Sequence, residues 1–279
     1  MYLDTLLTAL YLPGVRRPIE PPRRRWRTVE SVLRRGLDGP AASLEAAGLH
    51  EEAHILGFGP GLEKAASLVA AGRVLPCSAD AYPAKWRVFG GAPPVLWKAG
   101  AMPSGRFIAI VGSRAPSARA RRFALECAGE AARLGYAVVS GGAAGIDAAG
   151  LAGARAMGAA TLCILPCGLD ARPRPSGAAL AASEPRAEFA PCLAMQRNAL
   201  VYSLADATVV VGPRFKVGGS WHGAVSALRQ RLGPVLVWDA GDLASRALIA
   251  LGARPIASPG DLGPAIASPH LQNVLPAFS

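Results

Sequence analysis

The sequence predicts an α/β protein: a doubly wound, mostly parallel sheet preceded by a small helical domain. Two observations carry that prediction. Between residues 107 and 239, short apolar runs ending in glycine or another small residue alternate with stretches of helical periodicity. Such alternation is the pattern of βαβ units around a buried parallel sheet. The chain also has 279 residues, 51% hydrophobic and 18% charged, which is enough apolar material for a large core and too apolar for a disordered chain.

The elements follow in order. FIAIVGSR (107–114) is the first run and SARARRFALECAGEAARLG (117–135) the first helix. YAVVSGG (136–142) and IDAAGLAGARAMG (146–158) repeat the unit, and ATLCILPCG (160–168) is a third run. ATVVVG (207–212), the helical SWHGAVSALRQRLG (220–233) and PVLVWD (234–239) complete the series. Right-handed crossovers make such a series a Rossmann-like sheet. Ahead of it, residues 41–72 read as helices interrupted by glycine, and LGFGPGLEKAASLVAAG (56–72) resembles a helix-hairpin-helix. The expected division is a helical domain over 1–75 and the Rossmann-like domain over 76–279.

Charge narrows the partners. Lys+Arg 30 against Asp+Glu 19 gives +11, and only Lys64, Lys85, Lys98 and Lys216 are lysine. That balance favours nucleic acid, nucleotides or an anionic surface, with a generally solvated basic surface as the plain alternative. Residues 13–40 hold eight arginines against three acids, a basic arm or a solvated linker. The five cysteines are scattered without a C-x-x-C, which argues against a disulfide framework and for a reducing compartment. Residues 1–14 make a poor signal peptide, and the most apolar stretch, 143–169, is broken by Asp147 and Arg155. The expectation is a cytoplasmic protein with no membrane span.

In a doubly wound sheet, ligands bind beyond the carboxyl ends of the strands. Those ends read Gly112-Ser113-Arg114, Ser140-Gly141-Gly142, Cys167-Gly168 and Gly212-Pro213. Small residues ahead of a helix let an anion reach free backbone N–H groups, so these turns point to a phosphate pocket. Neither a G-x-x-x-x-G-K-[ST] loop nor a G-x-G-x-x-G follows the first run, which disfavours a P-loop ATPase and an ordinary dinucleotide site. His50-Glu51-Glu52-Ala53-His54 fits H-E-x-x-H, but Pro60 stands where a metzincin places its third histidine. A surface helix is the better reading there, and no metal is expected. Asp147 reads as an exposed carboxylate in a helix's first turn, with a pocket acid as the alternative; Trp221 reads as core packing ahead of base stacking, and His222 as a helix-surface histidine ahead of a titrating group.

The segments AYPAKWRVFGGAPPVLWKAG (81–100), IAIVGSRAPSARA (108–120) and VVSGGAAGIDAAG (138–150) together resemble the DprA/Smf family of DNA-processing proteins. ILPCGLD (164–170), SEP (183–185), RN (197–198), VVVG then GGS (209–220) and ALIALGARPI (247–256) follow in family order. The resemblance implies a cytoplasmic binding protein without catalytic residues or cofactor. Its expected role is to bind and protect incoming single-stranded DNA and load a RecA-type recombinase during transformation, often as a homodimer. By motif it implies phosphate contacts from Gly112, Ser113, Arg114, Ser140, Gly141, Arg197, Asn198, Lys216, Gly219 and Ser220. The chain also departs from the pattern. Gly150-Leu151 replaces an Ala-His pair, Ala199 the second arginine of R-N-R, and Gly218 the leading serine of S-G-S; the segment between Asp170 and Ser183 is short, and Ser279 is reached without a winged-helix tail. The alternative on the same fold is a sensor of a nucleotide-derived ligand. A phosphoribohydrolase is disfavoured, because Ala224, Val225 and Ser226 stand where that class needs its glutamate.

Overall fold

The computed structural model describes residues 2–12, 25–58, 61–89, 91–171 and 176–268. The chain forms two compact units, one of residues 1–100, 166–174 and 180–193, the other of residues 101–165, 175–179 and 194–279. The expected boundary at 75/76 falls inside the first unit, within strand β1 (Val74–Pro76).

The first unit opens with helices α1 (Tyr2–Tyr11), α2 (Arg25–Arg35), α3 (Pro40–Ala46), α4 (His50–Phe58) and α5 (Gly61–Ala70). Every residue of α1 from Thr5 to Tyr11 is buried, so it is a core helix rather than an amphipathic surface one. The turn glycine Gly59 and Pro60 of the expected helical hairpin lie outside the described residues, as does the basic stretch 13–24. After β1 come α6 (Ala84–Val88) and β2 (Val95–Ala99), which pairs antiparallel with β1. The YP…PP.LW block that carries much of the family resemblance is core material. Trp86 and Trp97 are buried, Tyr82 meets Trp86 edge-on at 5.8 Å, and the Tyr82 hydroxyl donates to Pro93 O at 2.6 Å.

The second unit is the doubly wound sheet. Its strands are β3 (Phe107–Gly112), β4 (Ala137–Ser140), β5 (Thr161–Leu165), then β7 (Ala207–Val211), β8 (Val235–Trp238) and β9 (Arg254–Ile256), with β6 (Ala178–Ala181) divided between the two units. Five pairings, all parallel, set the order β5-β4-β3-β7-β8-β9. Ile108, Ile110, Val138, Val139, Leu162, Ile164, Val209 and Val210 are wholly buried, which explains the unbroken apolar runs. Helices α7 (Ala118–Arg133), α8 (Ile146–Ala156), α9 (Pro191–Leu204), α10 (Gly218–Gln230), α11 (Leu243–Ala250) and α12 (Leu262–Ala267) complete the fold. Ser117 caps α7 by accepting from the Ala120 N–H at 3.2 Å, and Asp242 caps α11 by accepting from the Ser245 N–H at 2.8 Å. Trp221, Ala224 and Ala227 of α10 and Ala244 and Leu248 of α11 pack with Val210, Val235 and Val237 of the sheet. Each large aliphatic side chain buried this way contributes about 1.5–3 kcal/mol.

The chain winds from β3 to β4 to β5 in one direction and from β7 to β8 to β9 in the other. The reversal lies between β3 and β7, and the crevice beyond their carboxyl ends is where this class of sheet holds ligands.

Candidate nucleic-acid interface

A cavity of about 450 Å³ occupies that crevice, and all of its lining belongs to the second unit. Four chain segments build it: the β4–α8 turn, with Gly141, Ala143 and Asp147, and three others. The first of these is the turn after β3, Gly112 to Ala115. Its path is fixed by backbone bonds: Ser113 N–H donates to Val211 O at 3.2 Å, and Ser113 O accepts from the Ile146 N–H at 3.0 Å. Gly145 makes the second bond possible. Its φ is +85°, and a Cβ there would collide with the Ser113 and Arg114 carbonyls.

The second segment is one stripe of α9. Ala194, Arg197, Asn198, Val201 and Tyr202 all line the cavity. Their spacing of three and four residues is one helical face. Arg197 and Asp147 are both buried, with Arg197 Nη1 3.7 Å from Asp147 Oδ2. The guanidinium packs so closely on the Gly141 backbone that any Cβ there would occupy its place. Asn198 Nδ2 donates to Gly219 O at 3.3 Å and ties α9 to the first turn of α10.

The third segment runs from Arg214 to Ser220. Val217 N–H donates back to Arg214 O at 3.1 Å, closing a tight loop, and Gly218, Gly219 and Ser220 begin α10. The amides of this first helical turn, with the positive end of a thirteen-residue helix behind them, are suited to an anion.

Eight of the ten motif residues line this cavity: Gly112, Ser113, Arg114, Gly141, Arg197, Asn198, Gly219 and Ser220. Two do not. The Ser140 hydroxyl is buried and donates to Ile110 O at 2.6 Å, so it holds β4 to β3. Lys216, at φ +57°, lies with Nζ 5.1 Å from the Phe215 ring centre and outside the lining; Arg214 takes the place on the wall. Asp147 corrects the preferred sequence reading in favour of its alternative. It is not an exposed helix-turn carboxylate but a buried one, 6% exposed, on the cavity lining. Burial pushes its pKa up, while Arg197 and the backbone N–H groups of Ala143, Gly112 and Gly141 pull it back. Trp221 is core, edge-on to Phe215 at 5.1 Å, and His222 is exposed.

The sequence missed Arg214, Tyr202 and the α9 stripe as a unit. The periodicity of 194, 197, 198, 201 and 202 was the available signal, masked because the stripe is polar at its centre. The H-E-x-x-H stretch lies on α4 with both histidines exposed, and His50 Nδ1 meets Glu45 Oε1 at 2.7 Å. No cluster of three metal-ligating side chains occurs among the described residues. Among them, too, no helix is long and apolar enough to cross a membrane.

A parallel sheet whose switch-point cavity joins glycine turns, a helix N-terminus and three arginines defines a Rossmann-like fold with a basic cavity at its switch point. The family described as DNA recombination-mediator protein A matches residues 73–265, and the chain belongs to that family. No curated protein matches the chain. Among solved structures, DNA processing protein A (DprA) from Streptococcus pneumoniae is 18% identical, with a TM-score of 0.67, over 95% of this chain and 97% of that one. DNA processing protein A from Helicobacter pylori, described for its single-stranded DNA binding mode, is 24% identical, with a TM-score of 0.56, over 64% of this chain and 90% of that one. Both likenesses are likenesses of fold.

Proposed function

We propose that the chain binds single-stranded DNA through phosphates seated in the β3/β7 cavity and hands that DNA to a RecA-type recombinase in the cytoplasm during DNA uptake. One observation carries the reading. Residues brought from three separate parts of the chain, around Arg114, Arg197 and Arg214, converge on one cavity that also offers helix-terminal N–H groups. Arginine holds phosphate through paired N–H groups, and the turn amides add donors that carry no base preference. The role is that of a binding module, which fits the single-strand subject of the Helicobacter pylori structure. A homodimer is part of the same reading.

The test is fluorescence anisotropy with labelled single-strand and duplex oligonucleotides of equal length across a salt series. The expected result is salt-steep binding that prefers the single strand. Equal, weak binding of both forms overturns it. The cavity is also within the size range of small-ligand sites, so a mononucleotide competitor belongs in the same assay. Displacement of DNA by micromolar mononucleotide would shift the reading to a nucleotide sensor.

A further inference from the structure

The cavity holds a group that phosphate binding does not call for. Asp147 is the one carboxylate lining it among the described residues. It competes with any entering anion for Arg197, from which it lies 3.7 Å away, and it accepts from the Ala143 N–H at 3.3 Å. The groups facing it come from every neighbouring element. Arg197 and Tyr202 reach it from α9, and the amides of Gly112, Gly141 and Ala143 from the turns. The Cys163 thiol of β5 lies under Gly142, while Arg114 and Arg214 line the same cavity.

A carboxylate so enclosed is stable only while the guanidinium and amides offset its lost hydration. A phosphodiester changes that balance twice. It draws hydrogen bonds from Arg197, and it places a second negative charge close to the first. Both effects favour the neutral acid. The phosphodiester itself stays ionised throughout, so a proton taken up on binding belongs to the protein.

We infer that Asp147 is the positioning residue of this cavity: as a carboxylate it holds the Arg197 guanidinium against Gly141 in the free protein, and it accepts one proton from solvent when a phosphodiester takes that guanidinium over. The inference rests on the phosphate reading above. Its sign follows from linkage. The acid is more easily protonated with the anion bound, so affinity rises as pH falls through the window between its free and bound pKa values. One linked proton limits the slope to about tenfold per pH unit.

The experiment is calorimetric titration of an oligothymidylate into the full chain, in pairs of buffers with different ionisation enthalpies, between about pH 5 and 8. The wild type is expected to take up as much as about one proton per cavity. Asp147→Asn keeps the side-chain shape and is expected to lose both the buffer dependence and the pH slope. His222→Gln removes the exposed histidine beside Ser220 and is expected to keep both. Absence of uptake in the wild type overturns the inference, even if the asparagine variant fails to fold. So does uptake in Asp147→Asn equal to wild type, or uptake that vanishes in His222→Gln. Arg114→Ala and Arg214→Ala separate the two levels. If neither weakens binding, the phosphate reading falls and the inference with it; if they weaken binding while Asp147→Asn still takes up its proton, only the inference falls.

Discussion

The cavity has two kinds of cation. Arg197 is buried on a helix, paired with Asp147 and packed on Gly141. Arg114 and Arg214 are exposed residues on strand-end loops at the cavity. The difference separates two jobs that one residue type can perform. A buried arginine has already lost its hydration and rotamer freedom, so it offers a fixed hydrogen-bonding fork to an incoming anion at little further ordering cost. An exposed arginine attracts phosphate over a longer range, but its contribution is screened by salt and it must be ordered on contact.

Arg197→Ala should therefore be the most damaging substitution. It leaves the Asp147 carboxylate buried without its partner, a change of about 3–5 kcal/mol for buried pairs. The expected outcome is a marked fall in melting temperature together with loss of single-strand binding. Asp147→Asn on top of it should recover stability but not binding; a double-mutant cycle in which both recover would show that Arg197 serves the fold alone. Gly141→Ala tests the same wall without removing a charge. Its Cβ would stand where the guanidinium stands, so Arg197 must leave its position. Overpacking of this kind costs about 1–3 kcal/mol. Binding should fall by roughly one to two orders of magnitude although the new methyl carries no charge, since displacing one charge-assisted hydrogen bond is worth about 1.5–3 kcal/mol.

This comparison also shows what a sequence displays. The parallel sheet was legible because its strands are buried on both faces, and burial on both faces demands unbroken apolar runs such as FIAIV and ATVVV. The turn residues Gly112, Ser113 and Arg114 were legible for the same reason, being tied to the ends of those runs. The buried wall was harder to read. Asp147 looks like any acid in a first helical turn until Arg197 arrives from fifty residues later, and no local pattern reports that meeting. The family motif points to Lys216 where the structure puts Arg214, because loop residues carry no periodicity and a shift of a residue or two decides which side chain reaches the cavity. The departures from the family pattern fall elsewhere. Gly150 packs on Ile110 with no room for a Cβ, Leu151 is buried, and neither they nor Ala199 line the cavity. The lost histidine and arginine thus sharpen the comparison: the turns that line the cavity are kept while residues away from the lining have changed.

The exposed pair should respond more gently. Arg114→Ala and Arg214→Ala are each expected to leave melting temperature unchanged. Each should weaken single-strand binding uniformly across sequences and lower the slope of log affinity against log salt by about one. A slope that stays constant in either variant would remove that arginine from the DNA path. Lys216→Ala, whose ammonium lies against Phe215 outside the lining, should change the slope by less than either.

Tyr202→Phe should have the smallest effect, and its sign is informative. The ring packs in the core with Trp221 and Val210, while the hydroxyl is buried at the cavity without a hydrogen-bond partner among the described residues. Burial pushes its pKa far above the usual phenol value, the nearby Asp147 adds to that rise, and Arg197 opposes it, so the group is a neutral donor at any ordinary pH. Leaving a buried hydroxyl unsatisfied costs about 1–3 kcal/mol, and phenylalanine keeps the ring while removing that penalty. The free protein should then melt slightly higher as Tyr202→Phe. If the hydroxyl donates to a bound phosphate, the same variant binds single-stranded DNA less tightly, so stability and affinity move in opposite directions. Raised stability with unchanged affinity would instead place the tyrosine with the core, and leave the phosphate to Arg197, the turn amides and the two exposed arginines.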